Sequence, residues 1–343
     1  MAKRNIIVIG ASAGGFELLR RLVGDLPSHL DAAIFIVWHI SSEAGTVLQQ
    51  VLNKENRIHA ANAVDKEPLL YNRIYIAPPD NHLLIEKDLV RVTHGPKENR
   101  FRPAIDPLFR SAAVAYGPRV IGVILSGALD DGTAGLWMIK DRGGIAVVQD
   151  PQEAEVSSMP RSALEAVEVD YILPVADMGA LLARLVTEEA PEPKEVNMEN
   201  EERANREIRI AAQDGPMESN GIFGDLTPYT CPECHGVLSA LSEGGRIRYR
   251  CHTGHAFSSD SLLDAISTNI EENLWSAVRN IKESILLLNH IGDHLAEVNR
   301  LKLAAIYFNK AREAEARMEL VRQAVLANEH LNTDSLDEEE GPK

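Results

Sequence analysis

Three clusters in this 343-residue chain combine reactive residue types with informative spacing. The first is Gly10-Ala11-Ser12-Ala13-Gly14-Gly15, directly after the apolar run Asn5 to Ile9. It satisfies G-x-S-x-G, the turn that lifts a serine hydroxyl between a strand and a helix. A dinucleotide loop would need G-x-G-x-x-G, and Ser12 replaces its middle glycine. A simpler reading makes Ser12 the cap of the helix that follows. The second cluster is His39, at the end of the run Ala32 to Trp38, with Asp130 and Asp131 beyond the run Val120 to Leu125. The third is Cys231-Pro232-Glu233-Cys234 followed by Cys251-His252-Thr253-Gly254-His255.

A hydroxyl, an imidazole and a carboxylate are the parts of a serine triad. The imidazole takes the hydroxyl proton, while the carboxylate fixes the ring tautomer and stabilises its cation. Backbone N–H groups near Ala13 and Gly14 are then candidates to stabilise an oxyanion. Each residue also has an ordinary explanation. A histidine after a strand is often a hydrogen-bonded loop residue, and Asp-Gly is a common turn with aspartate a common cap. Spacing alone does not make the three side chains touch.

What could bring them together is the order of elements. The run Asn5 to Ile9 is too uniform for a solvent-facing helix and reads as a strand buried on both faces. Phe16 to Val23 then has helical spacing. A helix opens at Ser41-Ser42-Glu43 and runs to about Lys54. Ile74 to Ala77, His82 to Ile85 and Leu89 to Thr93 read as strands, and a polar loop from His94 to Asp106 leads to a helix around Leu108 to Tyr116. Val120 to Leu125, Ile145 to Val148 and Tyr171 to Leu173 are further strands. The remaining helices run to Lys140 and lie near Pro160 to Val167 and Asp177 to Val186. Such alternation predicts an α/β fold with a doubly wound, mostly parallel sheet. Ser12, His39 and Asp130/Asp131 each follow a strand, where groups beyond the carboxyl ends can share one crevice.

Composition bounds the function. The formal charge of −16 and the pI near 5.2 argue against a general nucleic-acid binder or an anionic-membrane surface protein. The sequence has no 18-residue apolar run, and its start is too short for a signal segment. The expectation is a cytoplasmic protein with no direct membrane insertion. The cysteines fall within 21 residues and point to a metal rather than a disulfide framework.

Set side by side, these segments resemble a known family. Gly10 to Gly15, Trp38-His39-Ile40 and Leu125-Ser126-Gly127-Ala128-Leu129-Asp130-Asp131-Gly132 are similar to the active-site segments of the chemotaxis protein-glutamate methylesterases (CheB type). Ile74 to His82, Arg102 to Ala112, Gln149-Asp150-Pro151 and Ser158 to Arg161 extend the resemblance, in order, from about residue 5 to 187. It implies a Rossmann-like catalytic domain that hydrolyses glutamate γ-methyl esters on the cytoplasmic helices of receptors, releasing methanol without a cofactor. It places the triad on Ser12, His39 and Asp131, because the family aspartate directly precedes the glycine of its loop. Ala128 stands where the family usually has methionine, in the loop that shapes the oxyanion site, so its backbone N–H joins Ala13 and Gly14 as a candidate. The best-known members also carry an N-terminal receiver domain; here the catalytic strand starts at once, and that control is expected to be absent. Two other readings stay open: glutamine deamidation by the same triad, and a non-catalytic adaptor that binds receptors.

The cysteine cluster gives C-x2-C, sixteen intervening residues and C-x3-H, a spacing suited to tetrahedral zinc. Cys231, Cys234 and Cys251 are the expected thiolate ligands. Resemblance to Cys-His ribbon extensions on stand-alone methylesterase-like proteins favours His255 over His252 or His235 as the fourth. With four protein ligands the zinc would be structural. Gly236 is expected to permit a tight turn under the first pair. Between the two ligand pairs, Val237 to Leu241 and Arg246 to Arg250 read as ribbon strands around Glu243-Gly244-Gly245.

The expected domains are a catalytic domain at 1–190, an acidic linker at 191–222 with a polar helix at Glu199 to Ala212, and a zinc ribbon at 223–258. A helical hairpin follows at 259–330, broken at Asn289 to Asp293, and then a disordered tail at 331–343. Two apolar stripes on the hairpin suit core packing, homodimerisation or partner docking.

Overall fold

The N-terminal apolar run is buried on both faces of a sheet, as its lack of alternation requires; Ile6–Ala11 is buried throughout and forms strand β1. The protein is represented by a computed structural model that describes residues 2–39, 47–55, 58–193, 197–213, 224–243, 245–328 and 331. After β1 come α1 (Gly15–Gly24), β2 (Ala33–Trp38), α2 (Val47–Glu55), β3 (His59–Asn62), β4 (Arg73–Ile76), β5 (His82–Glu86) and β6 (Leu89–Thr93). Next are α3 (Ile105–Tyr116), β7 (Val120–Ile124), α4 (Thr133–Asp141), β8 (Ile145–Gln149), α5 (Ser158–Ala166), β9 (Tyr171–Leu173) and α6 (Val175–Leu185). The chain then forms α7 (Met198–Ala212), β10 (Asp225–Thr230), β11 (Val237–Glu243), β12 (Arg246–Cys251) and β13 (Ala256–Ser258), and ends with α8 (Ser259–Glu297) and α9 (Leu301–Leu326).

Seven strands pair in the order β3-β4-β2-β1-β7-β8-β9, every neighbouring pair parallel. From β1 the chain first builds outward through β2, then crosses to β7 on the other side. That reversal is the topological switch point of a doubly wound sheet. Alternate residues of β1 feed two cores. Ile6 and Val8 pack with Phe109, Leu136 and Met159, whereas Ile7 and Ile9 pack with Leu19, Leu22 and Leu182. Helices therefore cover both faces, as parallel pairing demands. β5 and β6 form a separate antiparallel hairpin, and β10-β11-β12-β13 form the four-stranded ribbon.

Several expectations need adjustment. The opening of the second helix, Ser41-Ser42-Glu43, lies outside the described residues, as do Gly244 of the ribbon turn and the tail from Asn332. Three short strands, β3, β10 and β13, escape the sequence reading. β3 is only four residues at the sheet edge, and β10 begins in a stretch that reads as turns. Within the expected linker, α7 buries Ala204, Glu207, Ile210 and Ala211, and α3 lies beside it.

The chain divides into two compact units, Met1–Leu262 and Leu263–Lys343. In the second, the expected helix break at Asn289 to Asp293 is wrong. α8 runs on to Glu297, and Gly292 is a packing glycine: a Cβ there would lie 2.6 Å from the Phe308 ring. One glycine costs a helix only about 1 kcal/mol, less than a close helix contact returns. The reversal comes at Asn299, which takes the left-handed conformation (φ 63°) while the Arg300 N–H donates to the Leu295 carbonyl at 2.8 Å. Of the α9 stripe, Ala311 and Val325 are buried while Leu301 is exposed. No described helix is long and apolar enough to cross a membrane.

Candidate active site and metal centre

β1, β2 and β7 all end at the switch point, and each delivers one side chain. Ser12 follows β1; its N–H donates to the Ser126 carbonyl at 2.9 Å, and its carbonyl accepts from Gly15 N–H and from Trp38 Nε1. Gly127 packs against Ser12 so tightly that a Cβ there would sit 2.7 Å from Ser12 Cβ and from Met159. Only glycine fits, which explains its place in the loop after β7. That loop turns through Leu129 (φ 61°) and Gly132 (φ 94°), where a side chain would also strike Ile105 and Ile124.

The structure brings Ser12, His39 and Asp131 into one line. Ser12 Oγ lies 3.2 Å from His39 Nδ1, and His39 Nε2 lies 2.9 Å from Asp131 Oδ2. An ionised carboxylate can only accept, so the neutral ring carries its proton on Nε2 and turns the Nδ1 lone pair toward the hydroxyl. The ring edges are thus exchanged relative to the chymotrypsin arrangement. Phe101 stacks flat on the imidazole, 3.8 Å between centroids and 7° between planes. The histidine and aspartate side chains are only 3% and 1% exposed, so water does not compete for their bond.

Asp131 sits at the N-terminus of α3, where unpaired N–H groups favour a negative charge. The Ile105 N–H donates to Oδ2 at 2.7 Å, and the Asp106 N–H and Asn99 Nδ2 donate to Oδ1 at 3.3 and 2.9 Å. Burial alone would raise its pKa. The bond and charge of His39, then Ile105 and Asn99, outweigh burial and hold it below the usual carboxylate range. Its neighbour Asp130 points elsewhere, accepting from Ser258 Oγ at 2.7 Å and pairing with Arg246 at 3.3 Å. Burial pushes Asp130 up to about 6, against the Ser258 hydroxyl. Asp106 is pushed up to about 7, first by burial and then by the charge of Asp131.

Four further side chains meet in the ribbon. One ligand atom from each of Cys231, Cys234, Cys251 and His255 lies within 4.8 Å of the others. Cys234 Sγ and Cys251 Sγ are 3.6 Å apart, and His255 Nδ1 is 3.7 and 3.6 Å from Cys231 and Cys251. A tetrahedron with Zn–S of about 2.3 Å and Zn–N of about 2.0 Å has edges of about 3.5–3.8 Å; those three separations match it, and the four donors together could hold a metal ion. The Thr253 hydroxyl contacts Cys234, Cys251 and His255. The tight turn under the first pair is made by His235 (φ 60°), not by Gly236. Gly236 is needed for room, since a Cβ there would meet the His252 ring at 2.4 Å.

Comparison with known proteins now adds to this geometry. The family model of the CheB methylesterase matches residues 7–182. The chain belongs to that family. A protein of Leptospira interrogans (serovar copenhageni), provisionally named a protein-glutamate methylesterase/protein-glutamine glutaminase, is 44% identical over 180 residues, covering 52% of this chain and 93% of its own length. An Anaeromyxobacter dehalogenans protein-glutamate methylesterase/protein-glutamine glutaminase is 38% identical over 184 residues, 54% of each chain. The crystal structure of the Thermotoga maritima CheB methylesterase catalytic domain superposes with a TM-score of 0.52 at 32% identity, covering 54% of this chain and 100% of that domain. The CheB-type match lies wholly in the sheet domain and leaves the ribbon and hairpin outside it.

Sequence reasoning misses Asn99, Phe101 and Asp106, which contact Asp131 or His39. The one signal available is a lone aromatic beside Asn99 in a polar loop, Gly95-Pro96-Lys97-Glu98-Asn99-Arg100-Phe101.

Proposed function

We propose that this chain is a serine esterase that removes the methyl group from glutamate γ-methyl esters on receptor proteins. The observation that carries the reading is the unbroken hydrogen-bond line from Ser12 Oγ through His39 to Asp131. Ser12 attacks the ester carbonyl as its proton passes to His39 Nδ1. Asp131 steadies the imidazolium through Nε2–H. The tetrahedral intermediate collapses, and His39 returns the proton to the departing methoxide, so methanol leaves. Water, activated by His39, then cleaves the acyl-enzyme to the glutamate carboxylate and restores Ser12. The oxyanion is assigned to the backbone N–H groups of Ala13 and Gly14, in the turn after the nucleophile, and of Ala128, next to the glycine packed on Ser12. No cofactor enters these steps.

Family membership and the names of the relatives support the substrate class. The names of the relatives also favour a second reaction at the same site, deamidation of receptor glutamines, in which ammonia replaces methanol as the leaving group. Cys231, Cys234, Cys251 and His255 are assigned to a structural zinc ion.

The test is methanol release from a methylated receptor fragment. Ser12→Ala should lower turnover by about 10⁴-fold with folding unchanged. Turnover near the wild-type rate in that variant would remove the assignment.

A further inference from the structure

Asn99 lies outside the triad, yet it is held from both sides by groups that matter. We propose that the metal-holding ribbon is a positioning device for the triad carboxylate and that Asn99 is the residue through which it acts. This rests on the triad assignment made above.

The connection starts at the ligands. His255 is followed directly by Ala256, whose N–H donates to the Lys97 carbonyl at 3.2 Å and whose carbonyl accepts from the Asn99 N–H at 2.8 Å. Lys97 also pairs, at 3.0 Å, with Glu233, which stands between ligands Cys231 and Cys234. Both halves of the ligand set therefore grip segment 97–99 directly.

The side chain of Asn99 carries the connection inward. Its Oδ1 accepts from the Ser258 N–H at 3.0 Å and from the Ser261 hydroxyl at 3.2 Å. Those two serines also cap α8 reciprocally, each N–H donating to the other's Oγ. A backbone N–H can only donate, so the amide oxygen must face the ribbon. Nδ2 is thereby aimed the other way, donating at 2.9 Å to both Asp131 Oδ1 and Asp106 Oδ2. A flipped amide would set its oxygen against two carboxyls and its NH2 against an N–H. The ribbon decides which end of the amide meets Asp131.

The same turn orients the imidazole. Asn99 and Arg100 both occupy the left-handed region, φ 49° and 73°, which asparagine enters readily but arginine only rarely. The bond from Asn99 N–H to Ala256 and the paired bonds between Glu98 and Phe101 hold them there. Phe101, so placed, stacks on His39. A second grip acts on the triad loop itself, because Ser258 Oγ and Arg246 both hold Asp130. A ribbon this small loses its fold without its metal. Asn99 would then lose both oxygen-side donors, and its amide could turn away from Asp131.

The experiment uses the full chain with and without a zinc chelator. kcat and KM are measured for methanol release from a methylated receptor fragment, alongside labelling of Ser12 by a fluorophosphonate and amide hydrogen exchange. Chelation should lower kcat by about 10- to 100-fold with KM within about twofold, the signature of a misplaced catalytic group. Labelling should slow in parallel, and the amides of Asn99 and Ser258 should lose protection. Asn99→Ala should reproduce the kcat loss, and chelating that variant should add less than about threefold, because the two act in series. Ser261→Ala, a milder change, should lower kcat by about threefold, with Ser261→Thr restoring it. Unchanged kcat and labelling after chelation, or losses from Asn99→Ala and chelation that multiply, would overturn the proposal. If the wild type labels at Ser12 but releases no methanol, the substrate reading fails while labelling and exchange still decide this one.

Discussion

The interior of the parallel sheet and the seam between that sheet and the ribbon are equally buried but held by opposite means. Around β1 the two cores are built of buried apolar side chains, mainly Ile, Val, Leu, Ala and Phe. In the seam, Glu98 of the 94–104 loop, Arg110 of α3, Glu207 of α7, and Arg248 and Arg250 of β12 are each no more than 5% exposed. Glu98 lies 3.3 Å from Arg110, 3.0 Å from Arg248 and 3.1 Å from Arg250, and Arg250 also pairs with Glu207. Arg248 reaches Glu243 at 3.2 Å as well. Burial raises the pKa of Glu98, yet Arg110, Arg250 and Arg248 overcome it and keep the group ionised, well below the usual range.

What the difference teaches is what each kind of burial is suited to do. An apolar core tolerates changes of shape and specifies little about which surface meets which. A buried ion cluster gives up solvation that its pairing only partly returns, so it is weak support for stability as such. Here Glu207 Oε1 and Arg250 Nε find no partner among the described residues, which adds to that cost. In exchange the cluster admits one docking geometry, because a shift would leave arginine unpaired. That suits a module whose register must deliver Ser258 and Ser261 to Asn99.

The comparison breaks most visibly at Glu98. Glu98→Ala should destabilise the protein by about 3–5 kcal/mol, because the guanidinium groups it joins are left buried and uncompensated. Chemical denaturation would show it. A loss below about 1 kcal/mol would mean the seam is already hydrated. Ile34→Ala, in the apolar core at 0% exposure, should cost about 2–5 kcal/mol by transfer and cavity terms alone. The two variants separate in function, not in stability. Ile34→Ala should leave kcat within about twofold at temperatures where it is folded, while Glu98→Ala should lower it through the released ribbon.

The core was legible in the sequence and the seam was not, for a physical reason. Strand-forming runs such as Ile6 to Ile9 and Val120 to Leu125 announce their burial locally, and a glycine turn or an Asp-Gly pair marks where each ends. Ser12, His39 and the pair Asp130/Asp131 stood out because each lies beyond such a run, and the resemblance to the methylesterase segments singled out Asp131 of the pair. Glu98 and Arg250 are 152 positions apart, and each alone looks like a solvated charge. Nothing nearby distinguishes Glu207 from the other acids of a polar helix. Asn99 is a loop asparagine until the ribbon covers it. The helix break was misplaced because a lone glycine, Gly292, reads equally as a stop or as a packing contact.

The smallest effect, and the one that sharpens the comparison most, is on the pH dependence of stability. Asp106 touches both regions, bonded through Asn99 to the triad and lying 3.9 Å from Arg248 in the seam. Its folded-state pKa is raised to about 7 from an ordinary value near 3.8, and that of Asp130 to about 6. Between those limits these two groups bind more protons in the native state than in the unfolded chain, so their contribution to stability falls as pH rises from about 4 to 7. Buried His82, whose pKa is lowered by burial, contributes in the opposite sense as pH rises toward its ordinary value of 6.5. Asp131 also works against those two acids. Its lowered pKa contributes stability above about 3.8 that is lost as pH falls through the folded-state value. Asp106 and Asp130 therefore tilt the profile downward toward pH 7, each such proton contributing at most about 1.4 kcal/mol per pH unit. Asp106→Asn cannot ionise and still accepts from Gly135 N–H, at the cost of the bond that Asp106 Oδ2 accepts from Asn99 Nδ2. It should flatten the decline between pH 5 and 7 measured by thermal unfolding, while Glu98→Gln should leave a decline in place. An Asp106→Asn profile that still falls as steeply would place the proton on another group and remove Asp106 as the link between seam and triad.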